Sequence, residues 1–403
     1  MRRSLVVCLV LLFTATKVVA TNTITAADTT RHTAARSYYD PIDYNAVRYQ
    51  LMRASRKSFV QRAFEALTQP IINDERIKLD ASVGVGYTQE TNFAFVLSAT
   101  AAYQPKSHSA SSTATLAAMT SVNGFFRVQA KGVHNFRRAR SRLRYDLGGG
   151  YMPTYFWGLG YQAADVNTRS KYIERTAKAS LGYMYNIYKN LWVGGEIDAL
   201  YGKVADADSL AATYLDTVHT NLRKAYTTGV ALRADYDTRD NTHTTTRGLY
   251  VSLYAQVRPR FMGDYSHDIW HLSFEADYFH PLWRGGVMAV DFYGDFWSKQ
   301  TPWVYWPSVG GQNRMRGYYY GRYRDRNMMT AQLELRQNIY GPIGVCGWVG
   351  AGNVFGDDFR WSHTLPNIGL GARLALDGRT VLRVDYGWGR HSNGLIINVN
   401  EAF

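Results

Sequence analysis

Two short stretches hold side chains that could do chemistry. GRHSNGL, from Gly389 to Leu395, brings together a histidine and a serine, the base and nucleophile types of a hydrolase. His391 and Ser392 are adjacent, so on a strand they point to opposite faces and cannot form that pair. Asn393-Gly394 reads instead as a two-residue hairpin turn between the last two strands. The second stretch, GGQNRMRGYYYGRYRDRN from Gly310 to Asn327, sets Arg314, Arg316, Arg322, Arg324 and Arg326, with Tyr318, Tyr319, Tyr320 and Tyr323, against a single acid, Asp325. Planar cations among aromatic faces grip nucleic acid, phosphate or an interior of opposite charge. No metal-ligand spacing stands out among the histidines and no phosphate-binding glycine loop opens a helix, so the expectation is no cofactor, no metal and no catalysis.

The compartment narrows the choice. The first twenty residues, MRRSLVVCLVLLFTATKVVA, have the charged start, apolar middle and small-residue end of a secretory signal peptide, residues 1–20. Removing Arg2, Arg3 and Lys17 lowers the formal net charge from +14 to +11, still strongly basic. Cys8 leaves with the signal, and Cys346 alone cannot form an internal disulfide. An exported chain has no RNA to read, and Tyr319 sits where an RNA-recognition strand needs Gly or Ala, so nucleic acid is not an expected partner. The surplus positive charge suits lipopolysaccharide phosphates or an acidic inner wall.

Nothing beyond the signal approaches the roughly 18 consecutive apolar residues of a spanning helix. The composition, with 30 Tyr, 17 Phe, 10 Trp and 35 Gly against 10 Pro, suits many aromatic-rich hairpins. From Ile77 onward the chain alternates with period two between turn signals. In WHLSFEADYF, Trp270, Leu272, Phe274, Ala276 and Tyr278 oppose His271, Ser273, Glu275 and Asp277. KAYTTGVALRADY, VMAVDFYGDFW, MTAQLELRQN and VLRVDYGW repeat the pattern and place Asp291, Asp295, Glu334 and Asp385 on the polar face. At about 20 residues per strand and connection, residues 77–403 give roughly sixteen strands, a size at which membrane barrels keep a polar interior. The expected fold is all-β, a transmembrane antiparallel barrel of about sixteen strands after a short N-terminal helical segment. Residues 21–76 form the periplasmic linker, in which Asp43 to Thr68 has the spacing of a basic amphipathic helix or helix pair, read as a plug or brace at the periplasmic rim, with a membrane-surface or partner-docking helix as the alternative. The last segment, GLIINVNEAF, puts Leu395, Ile397, Val399 and Phe403 on one face.

Several of these blocks together resemble the bacterial surface-antigen superfamily of outer-membrane barrels, the BamA-like assembly and translocation proteins. DYDTRDNTHTTTRGLYVSL from Asp235 resembles that family's strand, turn and following strand. GGQNRMRGYYYGRYRDRN resembles its inward loop, with Arg316, Gly317 and Tyr318 as the Arg-Gly-aromatic core. AQLELR, GLGARL and VLRVDYG resemble the strands that follow. The likeness covers residues 235–403 and rests before that mainly on YFWGLGY, Tyr155 to Tyr161.

The resemblance implies an outer-membrane location in a Gram-negative bacterium and a role in inserting or translocating other polypeptides, with unfolded outer-membrane or secreted proteins as clients. It implies that Arg316 reaches acids on the inner wall, with Glu334, Asp385 and Asp291 as candidates. It also implies a weak lateral seam between first and last strands, marked by Gly84, Gly86, Val399 and Phe403. Two departures stand out. The family commonly has Asp where this chain has Gly350, which leaves Glu334 or Asp385 to hold the arginine. Residues 21–76 are too few and too helical for the periplasmic POTRA modules, which points to a barrel-only branch and leaves room for a separate periplasmic partner. Rival readings from the same residues are a passive pore, a scaffold or lipid handler, and an outer-membrane lipid hydrolase built on His391 and Ser392.

Overall fold

Alternation of apolar and polar side chains becomes the two faces of one closed wall. The computed structural model describes residues 72–73, 77–103, 112–136, 140–166, 168–218, 224–376 and 381–403. The signal peptide and the basic segment from Asp43 to Thr68 lie outside the described residues. Sixteen antiparallel strands pair in sequence order: β1 (Ile77–Thr88), β2 (Asn92–Tyr103), β3 (Ser112–Ser121), β4 (Phe126–Asn135), β5 (Ser141–Phe156), β6 (Ser170–Tyr188), β7 (Leu191–Ala205), β8 (Lys224–Asp237), β9 (Gly248–Arg258), β10 (Ile269–Trp283), β11 (Gly286–Trp297), β12 (Asn327–Tyr340), β13 (Ile343–Phe355), β14 (Leu365–Ala375), β15 (Val381–Gly389) and β16 (Ser392–Val399). β16 returns to β1 and closes the barrel. Closure removes the free sheet edges that an open sheet would expose.

The greasy face turns outward. On β8, Tyr226, Val230 and Leu232 are exposed while Thr227 and Asp235 are buried inside, and on β10 Trp270 and Tyr278 face out while Asp277 is buried. This is the inverse of a soluble barrel and the arrangement that lipid requires. Exposed aromatics gather near both ends of the strands, with Phe126, Tyr151 and Trp270 at one and Tyr185, Trp283 and Tyr340 at the other.

Connections differ between the two ends. At the turn end β6–β7, β10–β11 and β12–β13 are joined by two residues each. At the loop end lie a short helix α1 (Gly160–Asp165), a second helix α2 (Ser209–Val218) and the long connection 298–326 between β11 and β12. The wall is also uneven in height: β5, β6 and β7 have 16, 19 and 15 residues, whereas β15 and β16 have 9 and 8.

Two details differ from the sequence reading. The last hairpin turns at Arg390-His391, because Gly389 pairs with Ser392 and Gly387 with Gly394, and His391 takes the positive φ of 52° that the turn needs. Phe403 does not continue the face of Leu395, Ile397 and Val399. β16 ends at Val399, Asn400 has φ 69°, and the chain bends into the barrel, where Phe403 packs against Phe279 with ring centroids 6.3 Å apart.

Which face meets lipid can be measured. Val230→Arg, on the outward face, should cost about 2–4 kcal/mol in vesicle-embedded unfolding, whereas Thr176→Arg, beside the luminal cavity, should leave stability nearly unchanged.

Candidate functional site

The connection 298–326 does not project from the barrel. It folds back into the lumen, and each of its five arginines has found its own acceptor. Arg314 forks onto Asp291, with Nε 2.9 Å from both carboxylate oxygens, and reaches Glu275 through Nη2. Arg324 meets Glu174 of β6 at 3.3 Å, Arg326 meets Asp357, and Arg322 donates to the carbonyls of Ala164 and His391. Arg316 is fully buried. Its Nη1 lies 2.7 Å from Asp385 of β15, its Nη2 pairs with Glu334 of β12, and its guanidinium stacks 3.6 Å over the ring of Trp348 on β13. Of the three candidate partners, Glu334 and Asp385 hold Arg316, while Asp291 holds Arg314 instead.

The pair extends into a network. Glu334 also accepts from Arg336 at 2.7 Å, Asp385 takes Arg373 and, at 3.5 Å, Arg383, and Arg373 reaches Glu401 at 2.8 Å. Arg336 donates to the Phe403 carbonyl at 3.0 Å. Opposite charges alternate from the loop tip to the residues after β16. Sequence reasoning had flagged the acids on the polar face but not Glu401, which follows a strand rather than lying in one.

Glycine sets how closely the loop approaches. Gly317 has φ +102° and lies on Gly387, whose carbonyl any Cβ at residue 317 would overlap. A side chain at Gly389 would strike the ring of Tyr318. With that room, Tyr318 is buried edge-on to Tyr323, and its hydroxyl donates to the Pro366 carbonyl and accepts from the Arg390 amide at 2.7 Å. Trp157 and Tyr161, beside and within α1, join Met315, Tyr318, Tyr319 and Tyr323 in one apolar cluster. Arg390 clasps Asp165 of α1 at 2.7 Å and holds its carboxyl below the usual carboxylate range. The loop thus occupies part of the lumen toward the loop end and leaves a cavity of about 750 Å³ beside it, bordered by Arg127, Glu174, Lys178 and Asp295.

The seam lies next to the same loop. Other neighbouring strands share eight or more register pairs, but β16 meets β1 only at Ile397 and Tyr87. Lower on β1, the edge is occupied by Ile72 and Asn73, paired with Leu79 and Lys78. Gly84, Gly86 and Val399 border a cavity of about 90 Å³ between the two strands, and Phe403 is not among its lining residues. The loop bridges what the strands do not. Gly317 offers its carbonyl to Gln89 in the β1–β2 turn at 3.1 Å and to the Ser392 hydroxyl at the start of β16 at 2.7 Å. Tyr320 donates its amide to Glu90 at 2.6 Å, and Gln89 also reaches the Asn393 carbonyl. No sequence signal marked Gln89 or Glu90, because hydrogen bonds to loop backbone leave no residue pattern.

Comparison with known proteins decides the family. The family model described as the Omp85 superfamily domain matches residues 73–393. The chain belongs to the Omp85 superfamily.

Among solved structures, this Omp85 barrel is similar to BamA from Haemophilus ducreyi lacking POTRA domains 1–3 (TM-score 0.58, 11% identity, over 88% of this chain and 81% of that one). It is similar also to CdiB from Acinetobacter baumannii (0.55, 14%, 81% and 60%) and CdiB from Escherichia coli (0.58, 11%, 81% and 63%). At these identities the likeness is one of fold, and the chain spans less than two thirds of either CdiB chain. No curated protein sequence matches it. At the level of the family, the protein is an outer-membrane barrel of the kind concerned with insertion and translocation of proteins.

Two measurements probe this Omp85 site. Arg316→Ala leaves Glu334 and Asp385 buried without their central cation, which should cost about 3–5 kcal/mol and lower the temperature at which the barrel loses its folded gel mobility. Arg316→Lys should restore little, since an ammonium cannot fork between two carboxylates. Removing Gln89 and Ser392 side chains together, at about 1 kcal/mol for each of their two hydrogen bonds to Gly317, should speed amide exchange at the loop end of β1 and β16 roughly thirtyfold, with β6 and β7 unaffected.

Proposed function

We propose that this barrel inserts or translocates other polypeptides at the outer membrane by opening the β1–β16 seam, and that it carries out no covalent chemistry. The observation that carries the reading is the single register pair at that seam, in a wall whose other junctions are fully laddered. An edge strand released there would offer unpaired backbone groups to an incoming strand, which binds by strand addition. Gly84 and Gly86 weaken pairing along that edge, as glycine does within a strand. The eight residues of β16 fall short of the roughly 9–11 a tilted strand needs to cross the hydrocarbon, so the membrane beside the seam would be thinned.

Arg316, Gly317 and Tyr318 act in this scheme as an internal strut that fixes β12–β15 while the loop backbone bridges the seam. Clients would be unfolded outer-membrane or secreted proteins, delivered by a periplasmic partner. The occupied lumen weighs against a passive pore. Ser392 weighs against hydrolysis: its hydroxyl is bound to Gly317 and Tyr319, while His391 faces Asp165 at 3.5 Å.

Depletion of the protein in its native host, with outer-membrane proteomics and transcript levels as control, tests the reading. Broad loss of barrels would mark a general assembly factor and loss of one or two a dedicated translocator; an unchanged proteome would sink the proposal in favour of a scaffold or lipid role. Cysteines at Gly86 and Asn398, opposed if the Tyr87–Ile397 register continues, should abolish function when oxidised and restore it on reduction.

A further inference from the structure

We infer that the outer wall of β6, β7 and β8 carries a docking site for the phosphate groups of an anionic lipid in the leaflet at the loop end. The register places Arg175 of β6 directly opposite Lys203 of β7, and Lys203 directly opposite Lys224 of β8. Three cations therefore stand in one row across three neighbouring strands, roughly 5 Å from one to the next. The row is on the outward face. On β6, Leu181, Tyr183 and Tyr185 share the parity of Arg175 and are about half exposed, while Ser180 and Met184 are buried.

Like charges directly opposed across a sheet repel and cost stability. The nearby acids do not cancel them. Asp206 lies 3.9 Å from Arg175 and Asp264 3.9 Å from Lys224, both in exposed pairs. Asp264 is also committed to the Tyr226 amide at 2.6 Å, and among the described residues no carboxylate pairs with Lys203. The row keeps a net positive charge facing outward.

Its height suits a headgroup. One pleat toward the middle of the wall lie Tyr201 and Tyr226, paired with each other, and beyond them the apolar row of Leu181, Ile197 and Val230. From Leu181 to Arg175 is six residues, about 20 Å along the strand and about 15 Å along the membrane normal at a 40° tilt, which is where the hydrocarbon ends. Long basic side chains at that depth keep their stems in the apolar layer and their heads among the headgroups. A zwitterionic headgroup brings its own amine to compete for its phosphate. A lipid with two phosphomonoesters and no amine at hand matches three adjacent cations better, each contributing through Coulomb attraction at the surface.

The inference rests on the chain being a barrel seated in a membrane at this level, and the test keeps the two apart. The full chain is refolded into phosphatidylcholine vesicles containing a minority of a bis-phosphorylated glycolipid, and the lipids that stay on the extracted barrel are counted by native mass spectrometry. Wild type should retain the glycolipid at least about tenfold more than the variant Arg175→Gln/Lys203→Gln/Lys224→Gln. A control with the same charge removed at the turn end, Arg140→Gln/Lys189→Gln/Arg284→Gln, should match wild type. Equal retention by the row variant, or equal loss by the control, would overturn the site. Displacement by inorganic phosphate would make it a site for a soluble anion and overturn the lipid assignment. A chain that stays outside the vesicles, with no heat-dependent gel mobility, would refute the membrane reading and the inference with it.

Discussion

A guanidinium with no exposed surface inside a barrel has to be answered by carboxylates, and much of this molecule is arranged around answering one. Arg316 can reach Glu334 and Asp385 together only if its backbone comes down against β15, and that approach requires Gly317, Gly387 and Gly389 to lack side chains. Once the loop is there, Tyr318 must be buried, and its hydroxyl finds partners on β14 and in the last turn. Burying such a pair is not in itself a large gain, because desolvation offsets most of the attraction. Its value lies in geometry: few other loop positions satisfy all three groups, so the loop is held in one place.

The alternating charges then divide the wall into parts of unequal firmness. β12 to β15 share Glu334, Arg336, Trp348, Arg373 and Asp385 around one arginine, and Glu401 and Phe403 fasten the chain after β16 to the same network. None of these named residues lies on β1 or β2. Among the described residues, what holds those two strands includes Tyr87 and the Ile72–Asn73 pairing on one side, the hydrogen bonds of Gln89 and Glu90 to the loop and of Gln89 to Asn393, and the ladder toward β3. In the proposed opening, a displacement of the loop would remove the bonds it makes to Gln89, Glu90 and Ser392 at the seam while the ladder of β12–β15 stays paired.

What could be read from the sequence follows from what is local. Period two in WHLSFEADYF and KAYTTGVALRADY determines which side chains share a face, so the wall, its polar lumen and the placement of Glu334 and Asp385 were legible. Arg316 as the arginine of the inner wall came from the family resemblance, but that Asp291 serves Arg314 and not Arg316 was not legible, since it depends on where a loop of nearly thirty residues re-enters the lumen. Turn chemistry misled at Asn393-Gly394, where strand register outweighed a favourable dipeptide and put the turn on Arg390-His391. Phe403 was misplaced because alternation was carried past Val399, and one positive φ at Asn400 is enough to end it.

Gly350 stands where the family resemblance leads one to expect an acid, and the network is built without one. Each oxygen of Glu334 and Asp385 already has a cation: Arg316 on one oxygen of each, Arg336 on the other oxygen of Glu334, and Arg373 on the other oxygen of Asp385. A Cβ at residue 350 would come within 2.9 Å of the Gln332 side chain. That side chain is in use, accepting from the Met315 amide at 3.2 Å, one residue before Arg316. A side chain at 350 would thus displace the glutamine that orients the loop leading to Arg316. Glycine at this position fits the packing around Gln332, and Arg316 is held by Glu334, Asp385 and Trp348.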